Sequence, residues 1–543
     1  MEEYRREKRM MTALTLCFAL MMSVPYLIPH MGWLSLFGLV PLLCMERIGT
    51  ICGIRRLWRW HYAGFVLWNA FTTFWVCNAT VGGGIFAILA NSLQMSLVFG
   101  AFRLSRKVFR GTLPYIFFAA LWIAWEKAYF SAQISWPWLT LGNSFARTLS
   151  LAQWYEFTGT LGGSLWIWAS NLAVFGLMCC LSDGSFSSWN PKARAAALLA
   201  EPLILIIPAA ISLHLWKAPI EEGDKIEVAI LQPDIDPYHK FQRLSQSQQN
   251  AILEEQMRQA LSGRDSSCSS PLLLLAPETF TNDVDAGDIT SGKTWNRFRN
   301  LLEGYPGVTL LFGASSIDII ESADRPSYTA RPYGEGIWLE THNSALTVDG
   351  EGHGGIFHKN KLVVGVEMTP YPAFFCKIDD MLGGVMGRNI GQGEVSLLEL
   401  RSPERNVRTG CAICYESIYG DYCREYVKAG AELMTVITND AWWGDTPGYR
   451  QHLSYASLRA IELRRDIVRC ANTGISALID KHGRITAKTH WWEKEILRGE
   501  ASLGSGETFF VRNGDIAGRI CTLVAALLAL ALLTRLITVR KDG

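Results

Sequence analysis

The chain has 543 residues, with 51 Lys+Arg against 50 Asp+Glu for a net charge of +1. Charged residues make up 19% and mean hydropathy is +0.13, which excludes a disordered chain, a coiled coil and a collagen-like polymer. So balanced a charge exerts no global pull on nucleic acid, and no nucleic-acid partner is expected.

The apolar residues are not spread evenly. Long apolar runs fall at 11–29, 33–45, 62–77, 84–102, 113–130, 162–181 and 195–216, with an eighth at 516–533. About 20 apolar residues cross a bilayer, and the run 33–45 is the shortest of the set. One such run is compatible with a buried core helix, whereas seven in series predict a polytopic α-helical membrane domain of about eight spans. The expected division is 1–220 for the first seven spans, 221–510 for a catalytic domain, and 511–543 for the last span and tail.

Charge between the runs sets an expected topology. Arg5, Arg6, Lys8 and Arg9 precede the first run; Arg47, Arg55, Arg56 and Arg59 follow the second; Arg103, Arg106, Lys107 and Arg110 follow the fourth. The alternate loops are nearly bare of Lys and Arg. The positive-inside rule then puts both termini in the cytoplasm and the stretch after the seventh span on the far side. The first run lacks a small-residue cleavage site and is expected to stay as an anchor.

Between 217 and 515 the pattern changes. Strands are predicted at 225–232, 271–276, 308–313, 407–414 and 433–438, and helices at 254–261, 293–302, 417–429 and 451–465. Hairpins are predicted from 343–348 with 355–361, and from 475–480 with 484–487. Strands alternating with helices predict layered α/β packing, with chemistry where strands end.

Three residues sit at or near such ends. Glu278 closes the run Pro-Leu-Leu-Leu-Leu-Ala-Pro-Glu, Lys359 lies in Ile-Phe-His-Lys-Asn-Lys-Leu, and Cys414 ends Val-Arg-Thr-Gly-Cys-Ala-Ile-Cys. Together they make coherent chemistry: a thiolate nucleophile, a carboxylate to take its proton, and an ammonium to steady the thiolate and a developing oxyanion. Each also has a bland reading, as a loop carboxylate, a surface lysine and a small core residue. There are 13 Cys but no tight disulfide framework. Cys411 and Cys414 form a Cys-x-x-Cys, but positions three apart on a strand point to opposite faces and make poor co-ligands. No metal or organic cofactor is expected.

Glu278, Lys359 and Cys414 resemble the Glu–Lys–Cys triad of the nitrilase, or carbon–nitrogen hydrolase, superfamily. Cys414-Tyr415-Glu416 resembles its nucleophile turn, and 438–445 (Thr-Asn-Asp-Ala-Trp-Trp-Gly-Asp), Gln451-His452, 459–462 and 471–476 continue the likeness. Such a domain with seven spans before it and one after is similar to a single family, bacterial apolipoprotein N-acyltransferase. Trp136-Pro137-Trp138-Leu139 and 141–144 resemble that family's loop after the fifth span.

The resemblance implies an αββα sandwich and an acyl transfer in two half-steps. An acyl chain moves from a membrane phospholipid to Cys414 as a thioester, and then to the α-amine of the diacylglyceryl-cysteine of a lipoprotein. Glu278 is implied as base and acid, and Lys359 as oxyanion stabiliser. Glu367, Tyr415 and Glu416 are implied as supporting residues, and Trp442, Phe241 and Trp138 as substrate-binding ones. Phe241 stands where the family has a Trp. Lys361 stands where the family has a His, and is a rival for the catalytic lysine. The implied setting is the bacterial inner membrane, with the catalytic domain periplasmic and the bilayer, a phospholipid donor and an apolipoprotein acceptor as partners. The aromatic clusters at 371–375, 442–443 and 491–492 are candidates for an acyl passage or a mobile lid. A membrane-tethered amidase or nitrilase-type hydrolase that uses water, and a non-enzymatic polytopic protein, are the alternatives.

Overall fold

Long apolar sequence and alternating apolar sequence fold apart from each other. The computed structural model describes residues 2–219, 223–238, 240 and 243–541. They form two compact units, Met1–Ala218 with Asn513–Gly543, and Pro219–Arg512.

In the first unit, six helices among the described residues are long and apolar enough to cross a membrane: Arg5–Leu27, Gly32–Ile51, Val81–Ser105, Tyr155–Ser182, Pro191–Lys217 and Ile516–Thr538. The short run 33–45 grows to a full span because Glu46 does not end it; that carboxylate is buried and paired with Arg106. Two expected spans fall short of the measure. Trp58–Thr73 has only 16 residues, and Glu126 and Lys127 lower the hydropathy of Leu113–Ser131. The unit's interior is aromatic. Phe18 meets Phe65 edge-on at 5.4 Å, and Phe118 meets Trp168 at 4.6 Å, the arrangement that ring quadrupoles favour. Glu126 turns inward and accepts from the Leu141 backbone at 2.8 Å, while Tyr26 donates to the Thr140 carbonyl at 2.9 Å. These bonds fasten the loop that carries Trp138.

The second unit holds fourteen strands among the described residues. In chain order they are β1 (Lys225–Gln232), β2 (Leu272–Leu275), β3 (Thr281–Asp285), β4 (Val308–Glu321), β5 (Arg331–Gly334), β6 (Ile337–Asp349), β7 (Ile356–His358), β8 (Leu398–Leu400), β9 (Val407–Ile413), β10 (Leu433–Thr438), β11 (Ile467–Ala471), β12 (Ala477–Ile479), β13 (Ile485–Lys488) and β14 (Glu495–Ser502). One sheet runs β14-β1-β2-β4-β6-β5, with β3 beside β4 and β7 beside β6; the other runs β13-β12-β11-β10-β9-β8. The centres, β1-β2-β4 and β9-β10-β11, are parallel.

The strand β2 explains the layering. It is four leucines, all buried. Side chains alternate faces with period two. Leu273 and Leu275 pack inward with Ile413, Val436 and Val468 of the other sheet. Leu272 and Leu274 pack outward under Leu253 and Met257 of the helix Gln246–Leu261 and Trp295 and Phe298 of the helix Lys293–Leu302. The helices Gly420–Lys428 and Pro447–Leu463 cover the second sheet with Tyr426, Val427, Leu453 and Ala460. Both sheets are thus apolar on both faces, as parallel strands require, and the unit is an αββα sandwich. The helix predicted at 417–429 is two pieces. A single 3-10 segment, Cys414–Ile418, precedes Gly420–Lys428, and the nucleophile candidate opens that segment.

Candidate active site

Each of the three candidates leaves the end of a strand. Glu278 follows β2 after Ala276 and Pro277. The neighbouring strand approaches so closely that a Cβ on Gly313 would lie 2.5 Å from the Glu278 Cα, so only glycine fits there. Lys359 directly follows β7, whose hairpin partner β6 presents Asn343. Cys414 follows β9 with φ +51°, and Thr279, next to Glu278, has φ +48°. Left-handed φ at non-glycine residues marks constrained backbone.

The side chains converge in the interior. The Lys359 ammonium is 1% exposed and donates to Glu367 Oε1 at 2.8 Å and to Glu278 Oε1 at 3.1 Å. Asn343 Nδ2 reaches the same two carboxylate oxygens, each at 2.7 Å. Glu278 Oε2 accepts from the Asn439 backbone at 3.1 Å, and Glu367 Oε2 from Val363 at 2.7 Å. Burial alone would depress the Lys359 ammonium, but Glu278, Glu367 and Cys414 more than offset it and hold it well above the ordinary lysine range. This lysine is a permanent cation.

Burial pushes the Cys414 thiol well up, and the Glu278 carboxylate pushes it further, against the pull of Lys359. The thiol therefore rests protonated. If Glu278 takes that proton, its repulsion vanishes while the attraction of Lys359 remains. One proton transfer thus makes the nucleophile and stabilises it.

Glu416 joins the two halves of the site. Fully buried, it accepts from the backbone N–H groups of Ile413 at 2.8 Å, Asn360 at 2.7 Å and Lys361 at 3.2 Å. Burial raises its carboxyl, opposed by those three N–H groups and by Lys359. The turn after Cys414 and the segment after Lys359 are stapled by one side chain.

The structure brings together Glu278, Lys359, Glu367, Cys414 and Glu416. Tyr415 is buried against Tyr419, ring centroids 5.3 Å apart. Lys361 points elsewhere, over the rings of Tyr419 at 5.3 Å and Tyr422 at 5.6 Å. Trp442 is 40% exposed and meets Tyr238 edge-on at 5.2 Å. Trp138 belongs to the other unit, where it is fully buried between Trp136 and Trp75. Phe241 lies outside the described residues.

Two members of the cluster escaped sequence reasoning. Asn343 lies midway along β6, in its buried half, and a polar residue within an apolar run was the available signal. Lys240 is buried and donates to the Thr279 carbonyl beside Glu278. Burial lowers its ammonium to about 8, against the opposing pull of Glu278.

Residues 319–508 match the family Carbon-nitrogen hydrolase, and residues 18–173 match the Apolipoprotein N-acyltransferase N-terminal domain. The chain is similar to the apolipoprotein N-acyltransferase of Chlorobaculum tepidum, 29% identical over 93% of each chain. It is also similar to that of Geobacter metallireducens, 27% identical over 89% of this chain and 86% of the relative. Among solved structures, Nit3 of Saccharomyces cerevisiae, a nitrilase-superfamily member, aligns with 53% of this chain and 93% of its own, at a TM-score of 0.36 and 13% identity.

Proposed function

We infer that this chain, which belongs to the apolipoprotein N-acyltransferase family, is a multi-pass bacterial membrane enzyme. It moves an acyl chain from a membrane phospholipid, through a cysteine thioester, to the α-amine of the diacylglyceryl-cysteine of lipoproteins. The observation that carries the reading is the buried Glu278–Lys359–Glu367–Asn343 cluster in the electrostatic field of Cys414.

The steps follow from the resting charges. Glu278 takes the Cys414 proton, and Sγ attacks the ester carbonyl carbon. The oxyanion of the tetrahedral intermediate forms beside the Lys359 ammonium. The carbon–oxygen bond then breaks, and Glu278 returns the proton to the departing lyso-phospholipid oxygen. In the second half-step the lipoprotein amine attacks the thioester and gives its proton to Glu278; the carbon–sulfur bond breaks, and Glu278 passes that proton to the departing Cys414 sulfur, restoring the thiol. The donor product leaves before the acceptor reacts, so the kinetics are ping-pong. Glu367 and Asn343 orient Lys359 and Glu278, Glu416 fixes the turn after the nucleophile, and Tyr415 packs behind it. Trp442, Phe241 and Trp138 are assigned to substrate binding.

The membrane arrangement proposed is about eight spans, with 1–220 and 511–543 in the bilayer and its cytoplasmic margins. Residues 221–510 form the catalytic domain on the periplasmic face of the inner membrane. The alternation of basic and bare loops supports this, as does the need for both lipid-anchored substrates to reach Cys414 from one leaflet.

The test is mass spectrometry of the purified protein after incubation with phospholipid vesicles. An acyl adduct on Cys414 that hydroxylamine removes, and that a diacylglyceryl peptide with a free amine discharges as N-acyl peptide, is the expected result. Discharge to water alone, with free fatty acid released, would move the reading to a hydrolase.

A further inference from the structure

Asp440 and His452 enter no step above, yet they meet behind the nucleophile. His452 is fully buried. Its Nδ1 lies 2.9 Å from Asp440 Oδ1, and its Nε2 lies 3.0 Å from the carbonyl oxygen of Cys414. Asp440 Oδ2 accepts from Arg469 Nη2 at 2.6 Å. Burial alone would raise the Asp440 carboxyl, but Arg469 and His452 hold it far below the usual carboxylate range.

The carbonyl oxygen of Cys414 can only accept, so Nε2 donates in that contact. Nδ1 faces Asp440 Oδ1 at 2.9 Å, with Arg469 Nη2 3.3 Å away. Ser417 Oγ, 3.0 Å from Nε2, donates to the same Cys414 carbonyl at 2.8 Å.

Two donors on one carbonyl matter because of where that carbonyl sits. Cys414 has φ +51°, which a residue with a side chain keeps only when its surroundings over-determine it. Asp440 and Arg469 are fully buried; Asp440 lies just after β10 and Arg469 within β11. The clamp is thus anchored in the sheet that carries the nucleophile.

We propose that His452 is the positioning residue of the nucleophile turn. Held by Asp440, it clamps the Cys414 carbonyl and keeps the thiol in the field of Lys359. The inference rests on the acyl-transfer reading for the reaction it assists, but the clamp makes its own prediction about the thiol.

The test compares His452→Leu, which removes the donor, with His452→Gln, which keeps an N–H donor. Ser417→Ala weakens the same carbonyl clamp from its other side. Two rates are measured on the full-length protein: acylation of Cys414 by phosphatidylethanolamine vesicles, and alkylation of Cys414 by iodoacetamide across pH. Losing the clamp is expected to slow both rates in His452→Leu by about tenfold to a hundredfold, the rate equivalent of one or two buried hydrogen bonds, with KM for the phospholipid moved less than about twofold. Its alkylation profile shifts to higher pH. His452→Gln is expected to recover about tenfold in acylation and to return the alkylation profile toward wild type.

A folded His452→Leu protein that alkylates with the wild-type rate and profile would overturn the proposal, as would a His452→Gln protein no faster than His452→Leu. If His452→Leu does not fold, Ser417→Ala decides it by the same readouts. A wild-type protein that takes no acyl group from vesicles, while His452→Leu still shifts alkylation, would sink the acyl-transfer reading and leave the clamp standing.

Discussion

Lys359 holds Glu367 more closely than it holds Glu278, 2.8 Å against 3.1 Å. The tighter partner is the carboxylate that has no proton to move, which leaves Glu278 the freer of the two. Glu367→Gln is therefore expected to lower kcat by about tenfold to a hundredfold with KM nearly constant, because it loosens the cation in the transition state without touching the bound lipid. Steady-state kinetics on vesicles of varied phospholipid content would separate the two constants. A rise in KM at constant kcat would mean that Glu367 serves binding.

The two lysines of 359–361 differ in surroundings, and their variants should differ in effect. Lys359→Met leaves Glu278 and Glu367 facing each other with no cation between them. It is expected to cost at least about a thousandfold in acylation, together with a loss of stability. Lys361→Met removes a cation lying over Tyr419 and Tyr422, worth about 0.5–1 kcal/mol, and should leave acylation within about threefold of wild type. Adduct formation on Cys414 read by mass spectrometry checks both.

Asn343 bridges Glu278 and Glu367 with one amide nitrogen. Asn343→Leu keeps the volume and removes the donor, and should slow acylation by about tenfold to a hundredfold while the fold survives. Asn343→Asp puts a third carboxyl in the cluster, so one of the three must stay protonated near neutral pH. Its acylation rate is expected to fall further than that of the Leu variant. An Asp variant faster than the Leu variant would show that the amide does not serve by donating.

The stability of the catalytic unit carries a pH signature at Asp466. Burial raises its carboxyl to about 6, opposed by the Ser502 backbone N–H that it accepts at 2.7 Å. Between the ordinary carboxylate value and about 6 the folded state binds more protons than the unfolded one, so stability falls as pH rises through that window. Asp466→Asn keeps an acceptor for Ser502 and removes the charge. It should raise the thermal midpoint above pH 6, by the equivalent of about 1–3 kcal/mol, and change little below pH 4. Melting curves at the two pH values test this, and an equal gain at both would refute it.

Much of this architecture was legible because period and composition agreed. β1 and β10 lie where apolar strand runs were predicted, and the helix Lys293–Leu302 starts and stops at the predicted residues. Glu278, Lys359 and Cys414 could be marked from strand ends, but only their likeness to a known triad joined them, since no local spacing links three residues so far apart in the chain. What stayed hidden had physical causes. β14 reads as Glu-Ile-Leu-Arg-Gly-Glu-Ala-Ser and is mostly half-exposed, as an edge strand can be, so its apolar pattern is weak. Asn343, Lys240 and His452 are polar residues whose partners come from distant segments, and such residues look like surface until the partners are known. Apolar runs mark eight spans where six helices among the described residues are long and apolar enough to cross a membrane, because Trp58–Thr73 is short and Leu113–Ser131 carries Glu126 and Lys127.

The segment 368–388 leaves and re-enters the catalytic unit through a closed neck. Asn389 donates its backbone N–H to the Glu367 carbonyl at 2.8 Å, and Thr341 Oγ1 donates to the Asn389 side chain at 2.7 Å. Beyond the neck, Phe374, Met381, Leu382 and Val385 are all exposed, while at the neck the Glu367 side chain is already bound to Lys359, Asn343 and Val363. The segment is thus tied to the site through one residue, whose backbone receives its returning end while its side chain holds the Lys359 cation.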